Sequence, residues 1–436
     1  MKNKILLLFL SLVLCVSLAG CNTAVLSVDQ LMHPPKAVGE KADIQTLIDS
    51  VAGEDYTLKY PQSGSYRSAI TMKDIDSDSI EEAVAFYLPS GDIAKVHILI
   101  MDNIDGKWQA VGNFKSQSTS VDSLTFCDLD GNGVLEIVSC FRTYNPTINQ
   151  VSAYICENNT FREITSAYNC TNLLCGNFDS EPGDELLLLS LFSTENEASA
   201  SLLTLNENAS ELTALGTTAL NPDVVSFSQL LTGNIFEGQY GAVIDGCTID
   251  GEYTTQLLYF NSYYSSLERI FFTENVAYNQ KLRSYPVMSK DVDGDSVIEV
   301  PAAFKLGLEK DRTDVVAAAE IYWCHQTPDS AVMLASHQAA SFAYSFTFEI
   351  PKEWDGNFTA HTNYDTNEVT FYTWQKNTTG EALLTIKIFE KESDEDYSGY
   401  TVLSETDSRI YTYSIPHSDS KLLLSDNEIV DAFSLM

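Results

Sequence analysis

Apolar positions along this chain come in short runs separated by clusters of Asp, Asn, Gly and Ser, as at 68–72, 83–88, 96–101, 108–111 and 124–126. Short apolar segments bounded by turn residues read as β-strands, and those without polar alternation as strands buried on both faces. The rhythm predicts about four strands per unit, repeated to about residue 340. Residues 43–51 instead place Ile44, Leu47 and Ile48 at helical spacing behind Asp43, a suitable N-cap, and predict a short helix. Beyond residue 340 the unit stops. Runs at 346–351, 368–372, 383–389 and 409–413 predict further strands, and 425–433 a closing helix. The expected fold is mainly β, with a small α+β domain over 341–436.

The N-terminus sets the expected compartment. Lys2 and Lys4 precede an apolar stretch from Ile5 to Leu18, followed by Ala19, Gly20 and Cys21. A basic start, a short apolar core and small residues before a cut site make a secretory signal, too short for a comfortable membrane span. The Leu18-Ala19-Gly20-Cys21 ending resembles the lipobox of bacterial lipoproteins. That resemblance implies a signal peptide at 1–20 and fatty acylation, of the palmitate class, on Cys21. It also implies an outward-facing, lipid-anchored protein of a bacterial cell membrane. Two acyl chains anchor stably where one is marginal. Residues 21–42, with His33-Pro34-Pro35 and little periodicity, read as a tether.

Composition fits an exported, folded chain. Apolar residues make up 44% and aromatics 11%, too rich for disorder, and 436 residues suffice for two or three domains. The formal charge of −36 argues against nucleic acid as a partner and suits cation binding. Seven cysteines follow Cys21 (127, 140, 156, 170, 175, 247 and 324), mostly within apolar runs. They read as buried thiols acting as small hydrophobes; Cys170 and Cys175 are the nearest pair in sequence.

Many of the carboxylates are gathered into a repeat, D-x-D-x-[DN]-x-x-x-E. Four segments align to it without gaps, at 74–82, 128–136, 177–185 and 291–299. A further segment in register, 234–242, has lost the acids at positions three, five and nine. Each acidic copy lies between two apolar runs. Calcium takes six to eight oxygens, and side chains at positions one, three and five of a tight loop can supply them, with the acid at nine closing the shell. Gly133, Ser79 and Ser296 at position six suit a sharp turn. An acidic hairpin turn without an ion remains the alternative for each copy.

An EF-hand begins similarly but needs an acid at position twelve and flanking helices. Here position twelve is Ala85, Ser139, Leu188 and Ala302, and the flanks read as strand. The acid at nine resembles the FG-GAP repeat of integrin α-chain heads and of many bacterial surface proteins, over roughly residues 58–340. That resemblance implies a β-propeller of about five four-stranded blades, which together with the short helix makes up 43–340, with calcium bound between the first two strands of a blade. Its implied ligands are Asp74, Asp76, Asp78 and Glu82; Asp128, Asp130, Asn132 and Glu136; Asn177, Asp179, Glu181 and Glu185; and Asp291, Asp293, Asp295 and Glu299. Asn177, Glu181 and Pro182 depart from the family pattern, which makes the third copy the weakest. The strand at 56–60 is expected to pair with the last blade and close the ring.

No G-x-S-x-G, H-E-x-x-H, Walker A or kinase signature is present, and the six histidines have no metal-ligand spacing. The Tyr263-Tyr264 and Tyr411/Tyr413 clusters read as strand packing or as sugar-stacking platforms. The expected function is a non-catalytic, calcium-stabilised surface module for a protein or glycan ligand. An exported polysaccharide-active hydrolase or lyase on the same frame is the alternative. Facing acids across a central channel would favour the enzyme, small or apolar lining the binding module.

Overall fold

The computed structural model describes residues 39–436 except 54, 91–94, 146–147, 158, 195–196, 207, 271–282, 307–317, 328–330, 376–377 and 394. Cys21, the signal at 1–20 and most of the 21–42 tether lie outside the described residues. Within the described residues, no helix is long and apolar enough to cross a membrane.

The chain is mainly β, and its described residues form six antiparallel sheets. The first contains β1 (Tyr56–Lys59), β2 (Ile70–Lys73), β3 (Glu82–Pro89), β4 (His97–Ile104) and β5 (Lys107–Lys115). The second contains β6 (Val121–Cys127), β7 (Glu136–Arg142), β8 (Asn149–Glu157) and β9 (Thr160–Cys170). The third contains β10 (Asn172–Gly176), β11 (Glu185–Ser190), β12 (Ser199–Leu205) and β13 (Leu212–Ala219). The fourth contains β14 (Val224–Phe236), β15 (Gln239–Thr248), β16 (Tyr253–Asn261) and β17 (Ser266–Ile270). In the second, third and fourth sheets strands follow one another in chain order, the meander that short turn-linked runs dictate; in the first, β3, β4 and β5 do so while β1 and β2 both pair with β3.

The fifth sheet contains β18 (Val300–Lys305), β19 (Ala318–Gln326), β20 (Val332–Ser341) and β21 (Phe346–Glu349). The sixth contains β22 (Phe358–Asn363), β23 (Glu368–Gln375), β24 (Thr378–Glu390), β25 (Thr401–Glu405) and β26 (Arg409–Ser414). The last strand, β27 (Phe433–Leu435), returns to pair with β21. The fifth sheet therefore runs past the 340 boundary that the repeat suggested.

The sheets stack in chain order. Val84, Phe86, Ile98 and Ile100 of the first pack on Leu124, Ile137 and Phe141 of the second. Val138, Val151 and Ala153 of the second meet Leu186, Leu188 and Leu203 of the third. Leu187, Leu189 and Leu202 meet Ala242, Ile244 and Leu258 of the fourth, and Val243 and Leu257 meet Ile298 and Val300 at the fifth. A second strand such as β3, β7 or β11 is thus buried on both faces, which is why its sequence is an unbroken apolar run.

Both ends of the stack are covered. Helix α1 (Glu40–Ala52) lays Ile44 and Ile48 on Ala83, Ala85, Leu99 and Met101 of the first sheet. It starts at Glu40, before the Asp43 cap expected from sequence; Gly39 holds the N-cap with φ +64. The sixth sheet covers the fifth through Phe346, Phe348, Trp354, Phe371 and Leu384. Helix α2 (Asp426–Ala432) is closed by a capping box between Ser425 and Glu428, where the sequence placed it. Strand β1 does not reach the fifth sheet. It pairs with β3 (Lys59 opposite Phe86), beyond the half that pairs with β2. Among the described residues, no buried apolar cluster joins the fifth sheet to the first.

Candidate metal centre

The acidic copies at 74–82, 128–136 and 177–185 each join two consecutive, directly paired strands of a sheet (β2–β3, β6–β7, β10–β11). The copy at 291–299 leads into β18 across a Lys290–Glu299 bridge. The degenerate segment 234–242 folds differently. β14 and β15 stay paired up to Phe236 opposite Gln239, turning at Gly238 with φ +75. With the segment zipped into a hairpin, its backbone groups pair with each other and its side chains lose a common focus.

In the acidic copies the backbone is held by their own side chains. The position-one carboxylate accepts the amide of position six: Ser79 N to Asp74 (3.2 Å), Gly133 N to Asp128 (2.9 Å) and Ser296 N to Asp291 (3.0 Å). Position three accepts the amide of position five, from Asp78 to Asp76, Asn132 to Asp130, Glu181 to Asp179 and Asp295 to Asp293. Position five accepts the amide of position seven at 2.6–2.7 Å in Asp78, Asn132 and Asp295. These turns need left-handed residues at positions four and six: Ser77 and Ser79, Gly131 and Gly133, Gly294 and Ser296. The requirement at four was not read from the sequence.

The glutamate at nine points back under its loop. One oxygen accepts the amide of position two, from Ile75 to Glu82, Leu129 to Glu136 and Phe178 to Glu185 (each 2.7 Å) and from Val292 to Glu299 (2.9 Å). All four glutamates are buried. The second oxygens of Glu82 and Glu136 are buried without a hydrogen-bond partner, as is Asp74 Oδ1. Burial, partly offset by the position-two amide and reinforced by neighbouring Asp charges, pushes Glu82, Glu136 and Glu185 up to about 7. Glu299 is raised for the same leading reason. Buried oxygens left bare among carboxylates are costly in the protein alone and suit a hard cation.

Three copies bring ligand atoms within 4.8 Å of one another: Asp74, Asp76 and Asp78; Asp128, Asp130 and Glu136; and Asp291, Asp293 and Asp295. Among the described residues, the third copy gathers no such trio. Asn177 turns its amide nitrogen to the carbonyls of Glu181 (2.6 Å) and Gly183 (2.9 Å), and Pro182 shifts the second left-handed turn to Gly183. A donor at position one repels a cation, so this loop is held by its own hydrogen bonds.

Cross-strand register adds two residues that the sequence reading missed. Ala83 faces Met101, so Glu82 stands opposite Asp102; Val300 faces Cys324, so Glu299 stands opposite His325. The corresponding neighbours are Ile155 for Glu136 and Thr204 for Glu185. Residues opposed in a ladder share a face. Asp102 is itself raised by burial, with Asp76 and Asp78 adding to the effect. His325 Nδ1 lies 3.3 Å from Glu299 Oε1, and Asp295, Glu299 and His325 form a further ligand trio. The only sequence signal for either was its offset from the loop, legible only once the strand pairing is known.

Away from the loops, the segment 63–67 and strands β6, β10 and β14 line a cavity of about 690 Å³. Ser63, Ser123, Thr125, Ser228 and Gln229 supply much of its wall. Its two acids are engaged: Asp122 by Arg142 (2.9 Å) and Ser63 (3.0 Å), Asp184 by the Asp128 amide (3.2 Å). Tyr411 and Tyr413 are buried and donate to the Tyr344 carbonyl and Asp426, so they are packing residues, whereas Tyr263 and Tyr264 are exposed. The seven cysteines after Cys21 are free; four are buried and three half-buried.

No protein-family profile matches the chain, and no curated protein matches it. Among solved structures, a protein from Lactobacillus plantarum is 10% identical with a TM-score of 0.33, covering 73% of this chain and 85% of that one. The rhamnogalacturonan lyase YesW is likewise 10% identical, with a TM-score of 0.31, covering 75% of this chain and 76% of its own. Likenesses this distant assign neither a fold family nor an activity.

Proposed function

We propose that this protein is a lipid-anchored bacterial surface module whose first five sheets are FG-GAP-like propeller blades, stabilised by calcium and presenting a face to a protein or glycan. The observation that carries the metal reading is the pair of buried, unpartnered glutamate oxygens, Glu82 Oε1 and Glu136 Oε1, beneath loops rich in carboxylates. Asp74, Asp76, Asp78, Glu82 and Asp102 would hold one ion, and Asp128, Asp130, Asn132 and Glu136 another. A bound cation supplies the positive charge that lets these acids ionise together and fixes the loops that link neighbouring sheets. Leu135 N already donates to Ile75 O (2.8 Å), Asp184 N to Asp128 O (2.6 Å) and Ile298 N to Asn234 O (2.8 Å).

The non-catalytic reading is favoured by the cavity wall, which mixes small polar residues such as Ser63, Ser123 and Ser228 with apolar ones such as Leu124, Phe126 and Leu230, and whose two acids are committed to structural partners. The test is a glycan and protein array probed with the soluble chain from residue 22 onward, with and without chelator, beside a panel of hydrolase, lyase and transferase substrates. Calcium-dependent capture without turnover is expected. Turnover abolished by mutating a single cavity acid would replace this reading with the polysaccharide-active enzyme.

A further inference from the structure

The residue opposite each position-nine glutamate differs from loop to loop, and in the last loop it is an imidazole. We propose that Asp295, Glu299 and His325 form a binding site for a late first-row divalent ion of the zinc class, distinct in metal preference from the all-oxygen loops. The inference rests on the reading of the acidic loops as metal sites and assigns this one a different ion.

The argument is ligand chemistry. Calcium is a hard ion served by oxygen, as the first loop offers with Asp74, Asp76, Asp78, Glu82 and Asp102. Imidazole suits zinc, copper, iron and nickel. Two carboxylates and one histidine are zinc-ligating types and supply three protein ligands, the number an open zinc site uses, which leaves a position for water. The spacing agrees. His325 Nδ1 and Glu299 Oε1 are 3.3 Å apart. The edge of a tetrahedron around an ion with bonds of roughly 2.0–2.1 Å is about 3.3 Å. Glu299 is anchored from behind by the Val292 amide and Asp295 by the Val297 amide, and the second Glu299 oxygen, Oε1, is turned to His325 Nδ1. His325 retains 19% of its side-chain exposure while Glu299 has none, which gives an ion an approach from the histidine side.

The test uses the full mature chain, saturated with calcium and titrated with zinc alone, then with cobalt as a spectroscopic probe. One zinc site should survive saturating calcium, and cobalt should give visible d–d bands there. His325→Gln should weaken zinc at least about tenfold and abolish the bands, leaving calcium uptake by the first two loops unchanged. His325→Asp, which copies the neighbour of the first loop, should lose the zinc site and gain calcium binding, with an unchanged circular dichroism spectrum. Equal zinc affinity in all three proteins, or complete displacement of zinc by calcium, overturns the proposal. Calcium uptake without retained zinc overturns this assignment alone. Zinc held through His325 without any calcium uptake sustains it and overturns the calcium reading of the other loops.

Discussion

Asp245 and Arg283 form a buried ion pair, with Arg283 Nη2 2.8 Å from Asp245 Oδ1 and almost no exposure on either side chain. Asp245 lies on β15 of the fourth sheet, the sheet whose loop has lost its acids. It also accepts Thr255 Oγ1, the Ser289 amide (2.7 Å) and Ser289 Oγ (3.0 Å), while Arg283 donates to the Val287 carbonyl (2.8 Å). The pair therefore ties the fourth sheet to the segment leading into the last acidic loop. Burial pulls the Arg283 guanidinium below its ordinary value and Asp245 opposes that pull.

Removing one partner strands the other in the interior. Asp245→Ala is expected to cost about 3–5 kcal/mol of stability, read as a lower midpoint in urea unfolding. A variant within about 1 kcal/mol of wild type would mean that the pair is solvated and not a structural tie.

Calcium should raise the melting temperature, reversibly with chelator, and magnesium should reproduce the effect poorly because it resists giving up its waters. A site at hundredfold excess over its Kd contributes about 2.7 kcal/mol. Asp130→Ala should remove part of the rise, and Asn234→Ala none, since 234–242 is a plain hairpin. Differential scanning calorimetry with elemental analysis decides it: a melting curve indifferent to calcium, with no metal retained, leaves only acidic turns.

The loops also predict a pH dependence for the metal-free chain. Glu82, Glu136 and Glu185 rise from an ordinary 4.5 to about 7 on folding, so the folded state holds these protons more tightly than the unfolded. Their contribution to stability is complete below 4.5 and is lost as pH rises through 7. Denaturation in chelator should show stability falling across that window, and Glu136→Gln should flatten part of the slope. Calcium should reverse the trend, because its ligands must be ionised. A chelator profile that climbs with pH would contradict the buried placement of these acids.

Anchoring is tested at Cys21. Cys21→Ala should release the protein from membranes or leave it as an uncleaved precursor, seen by fractionation and intact mass. Normal cleavage with retained membrane association would remove the lipobox reading.

The sequence by itself determined the elements and most of the loop chemistry. Unbroken runs such as 83–88 and 186–189 had to be strands covered on both faces, and the closing helix expected over 425–433 starts at a capping box between Ser425 and Glu428. The Asp and Glu spacing of the loops was equally legible, because nine consecutive residues contain the whole hydrogen-bonding pattern. Only the tertiary structure decided what depends on which strand lies beside which. Pairing of β1 with β3, the return of β27 to the fifth sheet, and the meeting of Asp245 with Arg283 join residues whose separation carries no local signature. The same holds for Asp102 and His325. Each is set opposite a loop glutamate by the ladder register, and a one-residue slip would turn it to the other face of the sheet.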